Sequence, residues 1–270
     1  MNIDPTSGYP VMQRILDSLV VDGPVTDVRI GTHWTVVVVQ TPKGLRAGLA
    51  ATQFGDSGEH GMPSIRGAGQ LLGKMGAELG ALALSESATE RSVGFAAVNA
   101  LLEVPADACV TESAEEVILR HGKLKRVAVV GHFPFVDKVR RGAKECWVLE
   151  LDPGPGDLPA SSAPDIIPQA DVVAITGMSL VNRSFLGLVG LCRPDAYVLV
   201  LGPSTPLSPV LFDYGVRALS GTVVVDIPSI VTGVSQGATF RQLTGRRLVT
   251  MESTARATST GPRPDSSSTR

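Results

Sequence analysis

Four stretches of the chain hold residues able to do chemistry at the end of a strand. In Val127–Val136, VAVVGHFPFV, an unbroken apolar run ends in Gly131 and passes directly to His132. A run without polar alternation suits a parallel strand covered on both faces, and a glycine at its carboxyl end lets the backbone come close to a bound group. His132 at such a mouth is a candidate general acid/base. Glu150 closes the next apolar run, where a carboxylate can accept hydrogen bonds from a ribose diol. Thr176-Gly177-Met178-Ser179 leads into a helical pattern with Asn182 one turn on. The N–H groups of a helix start, with Ser179 as cap, make either an anion site or a plain cap. Gly202–Pro209, which holds Ser204 and Thr205, packs three prolines and a glycine into eight residues. That rigidity favours the wall of a shaped site over a linker. Gly131, Glu150 and Gly177 together predict a crevice for a ribose- or phosphate-bearing ligand, such as a nucleotide or S-adenosylmethionine. The GxGxxG spacing is absent, however, and Phe133 and Pro134 compete for the space of a pyrophosphate.

The first half of the chain offers three further candidates. His33, in Gly31-Thr32-His33-Trp34-Thr35, is either a metal ligand or acid/base, or a packed histidine beside a tryptophan. Glu90 closes the sequence Ser87-Ala88-Thr89-Glu90, which reads as a capping box. Asn99 lies inside the apolar run Phe95–Leu101, where asparagine is a poor helix former and needs partners if buried. It either bonds to a neighbouring loop or faces a ligand. A metal ion would fall to His33 and His132. The three cysteines, Cys109, Cys146 and Cys192, are widely spaced without a CxxC pair, and the four histidines show no ligand spacing.

Two kinds of unit must position these residues. Val11, Met12, Ile15, Leu16 and Leu19 recur at helical spacing, and then Val25–Ile30, Thr35–Gln40 and Leu45–Ala51 read as a small antiparallel meander turned at Thr41-Pro42-Lys43-Gly44. The spacing predicts a glycine-interrupted helix from Ile65 to Leu82 and a second from Ser87 to Val104. From Val127 onward strand and helix alternate: strands at Val127–Gly131, Cys146–Leu151, Asp171–Thr176, Ala196–Leu201 and Thr222–Asp226, helices at Pro134–Arg141, Ser179–Leu191 and Pro209–Tyr214. Such alternation implies a doubly wound, mostly parallel sheet. Asp152–Pro168 reads as an irregular crossover. The expected division is residues 1–112, residues 113–251 and a disordered polar tail at 252–270.

With 270 residues, 43% hydrophobic content and a formal net charge of −2, the chain has ample core and no basic footprint for nucleic acid. No apolar run approaches a membrane span and the N-terminus lacks a secretory pattern, so a cytoplasmic protein is expected. A homo-oligomer is compatible with the composition.

GTHWTVVV, ERSVGFAAVNALL, VAVVGHFPFV, ADVVAITGMSLVN and LGPSTPLSPVLFDYG, in that order, resemble the putative heavy-metal-chelation family, a domain family of unknown function. The resemblance implies a small α+β N-terminal domain similar to the enolase N-terminal fold, a Rossmann-like domain after it, and an active site in the cleft between them. It would place Glu90 and Asn99 in that cleft from one side and Gly131, His132, Thr176, Gly177, Asn182 and the Gly202–Pro209 loop from the other. Three functions are then open: an enzyme or carrier acting on a small polar, metal-chelating or nucleotide-containing ligand, a non-catalytic metal or metal-chelate binder, and an interaction module whose cleft is only an interface.

Overall fold

The computed structural model describes residues 9–54, 65–104 and 108–253. Helix α1 (Pro10–Asp17) starts on a proline, whose fixed φ suits the first turn, and buries Val11, Met12 and Ile15. Strands β1 (Val25–Ile30), β2 (Trp34–Thr41) and β3 (Gly44–Ala51) form the expected antiparallel meander. The β-branched run in β2 is buried on both faces, as a middle strand between two covering layers should be.

The helix expected over Ile65–Leu82 does not form. Gly67, Gly69 and Gly73 take positive φ values of 72°, 85° and 81°, and the chain proceeds in turns to a short α2 (Gly76–Gly80) and a 3-10 turn at Ala81–Leu84. Several glycines, each costing about 1 kcal/mol in a helix, outweigh an apolar stripe that leaves Leu72 and Met75 exposed. Helix α3 (Ala88–Leu101) does form, capped by the Ser87 hydroxyl accepting the Glu90 N–H. It lies so close to β3 that a Cβ on Gly48 would stand 2.1 Å from the Ala96 carbonyl oxygen.

The second unit runs β4 (Cys109–Val110), α4 (Ala114–Gly122), β5 (Arg126–Val130), α5 (Val136–Gly142), β6 (Glu145–Glu150), β7 (Leu158–Pro159), α6 (Ala163–Ile166), β8 (Val172–Thr176), α7 (Met178–Val181), α8 (Phe185–Leu191), β9 (Tyr197–Leu201), β10 (Ala218–Val224), α9 (Ile227–Ser235) and β11 (Arg246–Glu252). Its eight strands are ordered β4-β11-β10-β9-β8-β5-β6-β7. Strands β7 to β10 are parallel, and β11 and β4 add antiparallel pairs at one edge. The chain winds from β5 to β6 and β7 on one side, then returns to β8, β9 and β10 on the other, so the topological switch lies between β5 and β8. The fold is the anticipated α/β arrangement, a meander domain followed by a Rossmann-like sheet.

Several details differ from the sequence pattern. The helix expected at Ser179–Leu191 breaks at Asn182–Ser184, where Arg183 takes a φ of 65° and reaches the carbonyls of Leu84 and Ser85. The last parallel strand begins at Ala218 rather than Thr222, the crossover 152–168 contains β7 and α6, and β4 recruits Cys109 and Val110 to the larger sheet ahead of residue 112. Glu252 still pairs within β11, while the remainder of the expected tail, 254–270, lies outside the described residues.

One buried cluster runs from Val37 and Phe95 through Val173 and Leu180 to Phe185, so both units share a core. On its other face the meander packs Val36, Val38 and Leu49 against Ile230 and Val234 of α9. At the amino end of the large sheet, Asp171 accepts from the Arg126 N–H at 2.9 Å and pairs with the guanidinium groups of Arg126 and Arg193 at 3.2 and 2.9 Å.

Candidate functional site

Gly131 ends β5 with a φ of 105°, as a strand-to-helix turn of this kind requires. The turn is braced by its own chain. The His132 N–H donates to Glu150 Oε1 at 2.6 Å, and the Leu151 N–H to Oε2 at 3.0 Å. A Cβ on Gly131 would lie 3.1 Å from the Phe133 ring and 3.2 Å from Thr176 Cβ, so the turn is tightly packed. Glu150 therefore holds the turn, and Phe133 packs close against Gly131. His132 Nδ1 lies 2.7 Å from Asp157 Oδ2. The Asp157 side chain is only 2% exposed and takes a second contact from Arg140 at 3.3 Å, whereas the imidazole is 50% exposed.

The turn after β8 is likewise closed. Gly177 N–H donates to the Leu201 carbonyl at 2.7 Å, Met178 N–H to Thr176 Oγ1 at 3.3 Å, and Ser179 Oγ–H back to the Thr176 carbonyl at 2.7 Å. These bonds use the Gly177 and Met178 N–H groups and the Thr176 and Ser179 hydroxyls inside the chain, and α7 is only four residues long. Asn182 is exposed and accepts from the Ser184 N–H and hydroxyl, so it braces the helix break. Glu90 is 2% exposed in its side chain and salt-bridged to Arg66, whose N–H also donates to it, with a further bond from Ser85. Burial pushes its carboxyl up, but the Arg66 and Ser85 bonds together outweigh that and hold it below its usual value. Its carboxylate does not close a capping box; it anchors the segment at Arg66.

Unsatisfied polar atoms collect elsewhere, where the Gly202–Pro209 loop meets the first domain. The Ala51 N–H donates to Ser204 Oγ at 2.8 Å, tying β3 to the loop. Thr205 is 2% exposed, packed so tightly on Gly177 that a Cβ there would be 2.5 Å from Thr205 Oγ1. That hydroxyl and the buried Thr222 Oγ1 have no hydrogen-bond partner among the described residues. Both threonines border an interdomain cavity of about 210 Å³ together with Arg46, Asn99, Leu102 and Val104. Asn99 Nδ2 donates to the Leu49 carbonyl at 2.9 Å, so the residue both bonds to β3 and faces the cavity. Arg46 is half-buried and donates to the Leu102 carbonyl, and burial lowers the pKa of its guanidinium. Arg46 and Asn99 give the lining a guanidinium and an amide, donor types suited to a compact anion. Gly202 borders a different cavity, and His132 borders neither. Asn99 and Thr205 are thus brought to one cavity; His132 and Glu150 meet instead at the Gly131 turn, and Glu90 and Asn182 join neither group.

A resident metal does not fit the side chains. No group of three His, Cys, Asp or Glu in ligating arrangement exists among the described residues. His33 is exposed on the β1–β2 hairpin and His132 is engaged with Asp157, so they form no common site. All three cysteines are free thiols on separate elements, and burial pushes Cys146 up to about 11 and Cys109 upward as well. Neither is a thiolate at neutral pH.

Arg46, Thr222, Asp157 and Arg140 escaped the sequence reading. Arg46 and Thr222 sit in strands whose polar residues read as solvent-facing, and Asp157 lies in the segment rich in Pro and Gly. Arg140 reads from the sequence as part of a solvated helix face after Gly131.

Two family models match the chain, at residues 12–102 and 114–252, and both carry the description "Putative heavy-metal chelation". A crystal structure of a protein with unknown function from Desulfitobacterium hafniense, from the family of the second model, is 27% identical. It covers 91% of this chain and 98% of its own, with a TM-score of 0.76. One from Pyrococcus horikoshii, 20% identical with a TM-score of 0.75, covers 91% of this chain and 99% of its own and shares the fold. An uncharacterised protein of Methanocaldococcus jannaschii is 26% identical over 145 residues, which span 51% of this chain and 56% of that protein.

Proposed function

Because the chain belongs to the family described as putative heavy-metal chelation, we propose that its interdomain cavity binds a small anionic chelator, such as a polycarboxylate, whose own donor atoms carry any metal. The protein holds the organic anion. Arg46 supplies charge, Asn99 an amide, and Thr205 and Thr222 hydroxyl donors. The observation that carries this reading is Thr205, a cavity-lining residue whose hydroxyl is packed against Gly177 without a partner, because an unpaired buried hydroxyl costs about 1–3 kcal/mol that turning about χ1 to an acceptor on a ligand would recover. Among the described residues no three His, Cys, Asp or Glu side chains are placed to hold an ion, which favours a chelate over a bare ion.

Calorimetric titration with citrate, alone and with a divalent metal, tests it. Thr205→Val keeps the shape and removes the donor, so folding stability should hold within about 1 kcal/mol while citrate binding weakens about tenfold. Arg46→Met should weaken it further. Equal citrate binding by wild type and both variants would end the proposal.

A second reading, acid/base catalysis by His132, is favoured by one contact. The buried Asp157 carboxylate fixes the imidazole through Nδ1 and leaves Nε2 toward solvent, the arrangement by which a carboxylate sets a histidine's tautomer. Its test is the tautomer itself, by ¹⁵N NMR: Asp157→Asn should redistribute the proton between the ring nitrogens, and an unchanged spectrum would remove the reading.

A further inference from the structure

On the opposite side of β10 from the interdomain cavity lies a larger one, of about 550 Å³, at the carboxyl ends of the parallel strands. Thr222 borders both. We infer that this second cavity binds the planar heteroaromatic ring of a nucleotide-like ligand, with Arg241 meeting its anionic group.

Three observations carry the inference. The cavity is large enough for a nucleotide-sized molecule, in the range of pockets that bury small ligands. Three aromatic rings line it: Phe133 and Phe135 lie nearly parallel, 10° apart with centroids at 5.3 Å, and Phe240 carries the Arg246 guanidinium over its ring at 4.0 Å. Faces of this kind take a planar ring by stacking. The charges on the wall are also unequal in their engagement. Lys138 is paired with Glu115 at 2.6 Å and Glu112 with Arg120 at 2.9 Å, while exposed Arg241 makes no ion pair among the described residues. One cation is left to meet an anion. Phe133, which crowds Gly131, is also a wall of this cavity, so the open space at the carboxyl ends of the strands lies toward β9 and β10.

Adenosine 5′-monophosphate, adenosine and ribose 5-phosphate are the probes, titrated by calorimetry. Trp34, whose ring centroid is 5.4 Å from that of Phe240, adds an intrinsic fluorescence signal. The monophosphate should bind best, adenosine more weakly, and ribose 5-phosphate least. Phe133→Leu, which keeps bulk and removes the aromatic face, should weaken both base-bearing probes by at least about fivefold, the low end of base stacking. Arg241→Gln, an exposed change, should weaken the monophosphate and leave adenosine unchanged. Arg46→Met, which tests the other cavity, should change none of the three. The inference fails if neither base-bearing probe saturates below about 1 mM, if ribose 5-phosphate binds as well as the monophosphate, or if Phe133→Leu binds like wild type.

Discussion

The turn after β5 and the loop after β9 lie at the same end of one sheet, yet they treat their polar groups in opposite ways. At Gly131 the buried polar groups are used inside the chain, with only the far side of His132 left open: Glu150 takes two N–H groups, and Asp157 takes His132 and Arg140. Around Thr205 hydroxyls are buried and left unpaired beside a guanidinium. Position at a switch point is thus a weak guide to a site by itself. The stronger sign is a polar atom that folding has desolvated without compensation, since a stable fold tolerates few of these without reason.

The largest expected effect comes from the contact that separates the two regions. Gly177→Ala would place a Cβ 2.5 Å from Thr205 Oγ1 and 2.8 Å from the Thr205 backbone nitrogen. Backbone cannot yield as a flexible side chain can, so unfolding in denaturant should show a loss of about 3 kcal/mol, and citrate binding should disappear with the displaced threonine. A variant that keeps wild-type stability and affinity would mean that the loop is compliant and the cavity not built.

A smaller effect sharpens the other side of the contrast. Asp157→Asn removes the buried charge facing Arg140 and His132 and should cost about 1–3 kcal/mol, as loss of a hydrogen-bonded buried group does. Citrate affinity should stay as it was. If it fell in step with Thr205→Val, the two regions would be one site.

The sequence made the framework legible where local pattern and tertiary role agree. The VAVV run, the meander and its Thr41–Gly44 turn, and α3 all follow from apolar spacing and turn residues. It misled where glycine chemistry competed with an apolar stripe, as at 65–82, and where one polar residue broke a helix, as at Asn182. Helices α4 and α9 carry readable caps, Ser113 with Glu116 and Asp226 with Ser229, that the longer periodicities overshadowed. Asn99 was visible because asparagine is out of place in an apolar helix. Arg46 and Thr222 were not, because an arginine or threonine in a strand is ordinary until the sheet from another domain is laid against it.

The smallest effect belongs to the far end of the same sheet, where Asp171 should be silent in binding. The Arg126 guanidinium and then its N–H lower the Asp171 pKa, Arg193 adds to this, and the opposing effect of burial is weaker, so the carboxyl sits well below the usual carboxylate range. A carboxyl with a depressed pKa in the folded state stabilises above its unfolded pKa of about 3.9 and loses that contribution as pH falls through the folded value. Asp171→Asn should therefore cost about 1 kcal/mol at pH 7, a figure kept small because the group is partly exposed. Below about pH 3.9 the gap between wild type and variant should narrow steadily, which denaturant unfolding from pH 7 to pH 2 would test. Citrate and adenosine monophosphate should bind the variant as they bind wild type at pH 7. A gap that stays constant with pH would show that Asp171 acts through shape rather than charge, and a change in either affinity would show that the ionic end of the sheet is coupled to the end where ligands are expected.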